Sequence, residues 1–177
     1  MNNNYTSTRN KQIQISARDA IKKGFADDGR LFVYPELSQL KVDLPSLQNS
    51  TYQQIAKTVM EKLLPDFSSD EISHCVDAAY NNSFDNTQIT PLVNVDNFHI
   101  LELFHGPTSA FKDIGLQMLP QLMKQVLSAN NRVMILTATS GDTGKAALEG
   151  FKNLEKMGIT VFYPHTGGSK VQQLQMQ

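Results

Sequence analysis

One cysteine, Cys75, stands in a chain of 177 residues. An internal disulfide framework is therefore impossible and a cysteine-based metal cluster lacks its ligands, which fits a reducing compartment with Cys75 as a small core residue. Charge of either sign is not in excess: 16 Lys and Arg face 17 Asp and Glu, for a formal net charge of -1. That balance leaves no electrostatic footprint for nucleic acid or for an anionic membrane surface. No apolar run reaches membrane-spanning length, and "MNNNYTSTRNKQ" lacks the apolar core of a secretory signal. Internal repeats and low-complexity segments are missing too. These absences point to a soluble, cytoplasmic protein without nucleic-acid or membrane partners, long enough for a real hydrophobic core.

What is present falls into two halves. From Ser16 to Asn81 the signals are mostly helical. Ser16 and Asp19 have the spacing of a capping box before a short helix that Gly24 stops. "DDGRLFVYPEL" offers an Asp28-Gly29 turn, then an extended piece closed by Pro35. In "NSTYQQIAKTVMEKLLP", Tyr52, Ile55, Ala56, Val59, Met60 and Leu63 recur at helical spacing, with Ser50 as cap and Pro65 as stop. "SSDEISHCVDAAYNN" repeats the device, with Ser68 and Glu71 as capping box and Ile72, Cys75, Val76 and Ala79 as the buried stripe. His74 falls off that stripe and reads as surface.

After Phe84 strands alternate with helices. "HILELF", "RVMILTAT" and "ITVFYP" read as strands. "SGDTGKAALEGFKNLEKMG" reads as a polar turn followed by a helix ending on Gly158 at the C-cap. The last two strands and this helix make a βαβ unit, the building block of a parallel sheet with helices on its faces. Two or three such strands cannot cover both their faces, which predicts an exposed sheet edge and an apolar face prone to self-association. The expected division is residues 1–90, mainly helical, and 91–177, the start of an α/β domain.

Three stretches carry candidate chemistry. In "ATSGDTGKAA" a glycine-punctuated turn feeds a helix, so free backbone N–H groups and the positive end of the helix dipole can bind a carboxylate or phosphate. The plainer reading is a βα loop capped by Asp142 or Thr143. A nucleotide-binding loop is excluded, because Gly144-Lys145 is followed by Ala146 and Thr139 stands where the first glycine belongs. A dinucleotide fingerprint is excluded because only Gly141 and Gly144 are present. Lys145 is then a solvated helix residue. In "HGPTSAFKDIGLQ", Lys112 precedes a helix carrying Ile114, Met118, Leu122 and Val126 on one stripe, despite Pro120. A lysine near apolar neighbours and a helix N-terminus is pushed toward its neutral, nucleophilic form, the starting point of Schiff-base chemistry with pyridoxal phosphate. The alternative is an ordinary first-turn lysine, with Asp113 as a helix-end acid under either reading. In "YPHTGGSKVQQLQM", Gly167-Gly168 forms a turn and Ser169 caps a helix, while His165 gets no role.

Together these stretches resemble the threonine synthase family, pyridoxal-phosphate enzymes of fold type II, the tryptophan-synthase-β-like fold. "YTSTR", "GFADDGRLFVYPEL", "LELFHGPTSAFKDIGLQ", "ILTATSGDTGKAALEGF" and "VFYPHTGGSKVQQLQM" carry the resemblance over nearly the whole chain. It implies a lyase acting on O-phospho-L-homoserine and water to give L-threonine and phosphate. The family's "AFKD" lysine anchors pyridoxal phosphate covalently and then shuttles protons, which places both roles on Lys112. Its "SGDTG" loop lies by the cofactor and the substrate carboxylate, which gives Ser140, Gly141, Asp142, Thr143 and Gly144 a binding role. Family members are more than twice as long, and the glycine-rich cradle for the cofactor phosphate and the partner of the pyridine nitrogen have no counterpart here. The chain is thus expected to be the N-terminal portion of such an enzyme, inactive alone. Two other readings stay open: a different pyridoxal-phosphate lyase for β/γ-replacement or elimination, and a non-catalytic truncated protein.

Overall fold

The computed structural model describes residues 4–165 and 169–176, so the Gly167-Gly168 turn lies outside the described residues. The chain packs as two compact units, one running to Asp77 with Leu122–Leu127, the other Ala78–Gln121 with the residues from Ser128 onward.

The first unit is built on helices, with a small sheet the sequence reading did not anticipate. Strands β1 (Tyr5–Ser7), β2 (Gln14–Ile15) and β3 (Phe32–Val33) pair antiparallel in the order β2-β1-β3. Helix α1 (Ala17–Lys23) starts at Ser16, whose side chain accepts the Asp19 N–H, and ends at Gly24 with φ 80. The cap of α2 (Tyr52–Leu63) is Thr51, not Ser50, because Gln54 falls three residues after Thr51 and completes the reciprocal pair. Its apolar stripe is only half buried. In α3 (Ser69–Ala79) the Ser68–Glu71 box forms, with Ser68 N donating to Glu71 Oε2 at 2.8 Å and Glu71 N to Ser68 Oγ at 3.2 Å. Ile72, Cys75, Val76 and Ala79 are all buried and His74 is exposed. Burial also pushes the Cys75 thiol pKa up. Arg18 ties the unit together: its guanidinium pairs with Glu71, donates to the carbonyls of Asp66 and Gln125 at 2.9 and 3.2 Å, and lies 4.3 Å over the Phe67 ring.

The second unit begins with a hairpin, β4 (Leu92–Val95) against β5 (Phe98–Leu101), turned at Asp96 with φ 52. The strand expected over "HILELF" thus starts one residue earlier and stops at Leu101. Helix α4 (Asp113–Val126) contains the fully buried Pro120. Proline cannot donate to the carbonyl four residues back, Leu116. Gly150, in helix α5 (Asp142–Phe151), packs its bare Cα against that carbonyl, and a Cβ there would sit 2.1 Å from Leu116 O. Gly150→Ala gains roughly 1 kcal/mol in helix propensity, but it forces the two helices apart. A net loss of about 1–2 kcal/mol is expected, since overpacking costs up to about 3. A urea denaturation midpoint unchanged or raised contradicts this contact.

Strands β6 (Val133–Ala138) and β7 (Met157–Phe162) pair in parallel, Val133 opposite Met157 and Ala138 opposite Phe162, with α5 between them in sequence. The βαβ unit is as expected, but its helix ends at Phe151 rather than at Gly158. The chain turns out through Asn153 and Lys156, both at positive φ, and Gly158 is a strand residue beside Met134. One face of this pair is bare: Met134, Leu136 and Phe162 are exposed. Helix α6 (Lys170–Gln175) starts at Ser169, as the capping signal requires. Among the described residues no helix is long and apolar enough to cross a membrane, and no cluster of His, Cys, Asp and Glu could hold a metal ion.

Candidate active site

The turn ahead of α4 is organised by Asp113. Its carboxylate is fully buried and accepts three hydrogen bonds, from Thr108 N at 2.9 Å, Thr108 Oγ1 at 2.7 Å and Ala110 N at 3.3 Å. Gly106 has to be glycine, because a Cβ there would lie 2.4 Å from Asp113 Cβ. Ser109 takes φ 54, and its N–H donates to Gly106 O at 2.9 Å. Tyr80 OH donates to Ile114 O at 3.0 Å and fixes the first turn of the helix. Lys112 therefore sits on a rigid piece of backbone, with its carbonyl accepting the Leu116 N–H at 2.9 Å. The side chain is half buried, and Nζ lies 4.2 Å from the centre of the Phe111 ring. Lys112 forms no ion pair among the described residues.

The second element is the loop between β6 and α5. Thr139 Oγ1 accepts the Gly141 N–H at 3.1 Å, and Gly141, rather than Asp142 or Thr143, is the N-cap. No side chain caps the helix, so the backbone N–H groups of Asp142, Thr143 and Gly144, the orphan donors of a first turn, have no partner among the described residues. Gly144 is buried where a Cβ would meet Thr139 Cγ2 at 2.4 Å and Val161 Cγ1 at 2.9 Å. The glycine lets the helix start drop onto the strands. Ser140 and Asp142 are exposed, Thr143 half buried.

Lys145 was expected to be solvated, and it is not. It is buried, with Nζ 3.2 Å from Asp142 Oδ1, because α5 is buried continuously from Gly144 to Ala147. A hydrogen bond from Gln172 and the Lys145 ammonium, with a smaller contribution from the charge of Lys112, lower the Asp142 pKa. An open concavity of about 720 Å³ lies elsewhere, at the opposite ends of β6 and β7, lined by Arg132, Val133, Lys156 and Met157 among others, far along the strands from this chemistry.

His105, given no role from the sequence, bridges two carboxylates: Nε2 lies 2.7 Å from Glu102 Oε2 and Nδ1 2.5 Å from Asp85 Oδ1. Glu102 first and Asp85 second raise the imidazole pKa above its ordinary 6.5. The sign follows from linkage: a folded value above the unfolded one gives stability fully present below pH 6.5 and lost as pH rises through the raised value. NMR titration is expected to place the His105 midpoint above 6.5, and Glu102→Gln to lower it more than Asp85→Asn. A midpoint at or below 6.5 contradicts the bridge.

Residues 4–80 match the family described as threonine synthase N terminus. The threonine synthase of Schizosaccharomyces pombe is 35% identical over 185 residues, covering 97% of this chain and 36% of the relative. The chain corresponds to the N-terminal portion of threonine synthases. The human protein threonine synthase-like 1 is 36% identical, covering 92% of this chain and 24% of its own length. Among solved structures, PLP-bound threonine synthase from Brucella melitensis superposes with a TM-score of 0.88 at 36% identity, over 98% of this chain and 38% of that one. The chain thus has the fold of the N-terminal part of threonine synthases, and it spans a little over a third of the length of the threonine synthases it matches.

Proposed function

We propose that this chain carries the lysine and the anion-binding loop of a threonine synthase active site, in which O-phospho-L-homoserine and water become L-threonine and phosphate. The observation that carries the reading is Lys112: a half-buried primary amine that forms no ion pair among the described residues, on backbone fixed by the buried Asp113 carboxylate. Those residues fit pyridoxal phosphate: an amine suited to an aldehyde carbon, and unpaired donors suited to an anion. The cofactor, when bound, supplies an electron sink for carbanions next to nitrogen. Lys112 Nζ would hold it covalently and, once freed, carry protons to and from the substrate carbons during loss of phosphate and addition of water. Within the loop of Ser140, Gly141, Asp142, Thr143 and Gly144, the N–H groups of the last three would orient the substrate carboxylate and the cofactor. A cytoplasmic location belongs to the same reading, supported by the lone buried Cys75. The bare apolar face on β6 and β7 supports self-association wherever nothing else covers it.

The test is to supply the natural full-length polypeptide with pyridoxal phosphate and O-phospho-L-homoserine and to quantify both products. L-Threonine and phosphate in equal amounts are expected. Phosphate accompanied by 2-oxobutyrate and ammonia instead would identify an elimination lyase, and no phosphate at all would remove the catalytic reading.

A further inference from the structure

Asp142 sets an electrostatic problem for that reading. A carboxylate at the first position of α5 suits the helix dipole, yet it places a negative charge beside the very N–H groups assigned to an anionic ligand. The structure manages this charge from two sides. Lys145, one turn along α5, places Nζ 3.2 Å from Asp142 Oδ1. Gln172, on α6, donates from Nε2 to the same oxygen at 3.0 Å. The other end of that carboxamide is also engaged, since Gln172 Oε1 accepts the Ser169 N–H at 3.0 Å and Gln172 N donates to Ser169 Oγ at 3.2 Å. The amide lies against Gly141, where a Cβ would come within 2.5 Å of its carbon and nitrogen. A side chain at position 141 would therefore push this carboxamide aside.

We propose that Gln172 is a positioning residue for the loop from Ser140 to Gly144: its carboxamide, together with Lys145, holds the Asp142 carboxylate toward α6, so that the free N–H groups at the start of α5 are left to an anionic ligand, here the substrate carboxylate. The inference rests on the threonine synthase reading and deepens it. It also explains why a buried lysine occurs in a helix whose outer positions could all have been solvated: an unneutralised Asp142 would oppose the ligand.

Gln172→Glu separates this role from the capping of α6, because a glutamate still accepts the Ser169 N–H but cannot donate to Asp142. In the natural full-length polypeptide, Gln172→Glu is expected to raise KM for O-phospho-L-homoserine about tenfold, the worth of one charge-assisted hydrogen bond, with kcat changed less than about twofold. The double variant Gln172→Glu with Asp142→Asn reverses donor and acceptor at unchanged total charge, and is expected to recover most of the lost affinity. An unchanged KM in the single variant, or a double variant no better than the single one, would overturn the inference. Wild-type polypeptide that releases no phosphate overturns the reading beneath it and this inference together, whereas an active wild type with silent variants overturns the inference alone.

Discussion

In the natural full-length polypeptide, replacing Lys112 by alanine is expected to lower phosphate release from O-phospho-L-homoserine by about three orders of magnitude or more, since the covalent anchor and proton carrier proposed above has no ready substitute. The fold is expected to survive, because Lys112 forms no ion pair among the described residues and its side chain is only half buried. Thermal unfolding within a few degrees of wild type checks that point. Lys112→Arg sharpens the result. Arginine keeps the positive charge and the stacking over Phe111 but offers no amine that can lose its proton near neutral pH. A purely electrostatic lysine would leave the arginine variant substantially active, whereas the covalent role leaves it as inactive as alanine.

The second large effect concerns stability. Asp113→Ala leaves the N–H groups of Thr108 and Ala110 and the Thr108 hydroxyl without the acceptor they share in a fully buried position. Each unsatisfied buried donor costs about 1–3 kcal/mol, and backbone relaxation recovers part of the total. A net loss of about 3–4 kcal/mol is expected, a large share of the roughly 5–15 kcal/mol that separates folded from unfolded chains. Asp113→Asn costs less, because one amide oxygen still accepts while the NH₂ meets donors it cannot bond. The urea denaturation midpoint of both variants measures this ordering. An alanine variant as stable as wild type would mean that Asp113 does not organise the turn. Activity should fall alongside stability, since the same carboxylate sets the backbone on which Lys112 stands.

Much of this was legible in the sequence where local rules decide. The Ser68–Glu71 box and the stripe of Ile72, Cys75, Val76 and Ala79 need only the helical period, and both formed. The βαβ unit followed from two short apolar runs around a helix. Failures occurred where distant residues choose between local options. Gly158 was read as the stop of α5 because glycine is the usual residue there, yet Asn153 and Lys156 took the positive φ and freed Gly158 for β7. Strand β4 carries no alternation strong enough to announce it, and it exists by pairing with β5. In the candidate site, Lys112 and the Ser140–Gly144 loop were singled out from the sequence, whereas the residues that support them in the fold were not. Asp113 looked like an optional helix-end acid because its donors, Thr108 and Ala110, belong to a turn whose shape no residue announces. Lys145 and Gln172 were missed for a related reason. The i,i+3 spacing from Asp142 to Lys145 was visible, as was the capping-box spacing from Ser169 to Gln172, but the meeting of the two at one carboxylate is a product of the fold.

The measurement that tests the central claim most directly is reduction of the natural full-length polypeptide with borohydride after incubation with pyridoxal phosphate, followed by peptide mass mapping. A single stoichiometric adduct on Lys112 is the predicted result, with Lys145 unlabelled because its amine is buried against Asp142. Label on Lys145, label spread over exposed lysines, or no label would contradict the assignment of Lys112 as the covalent anchor.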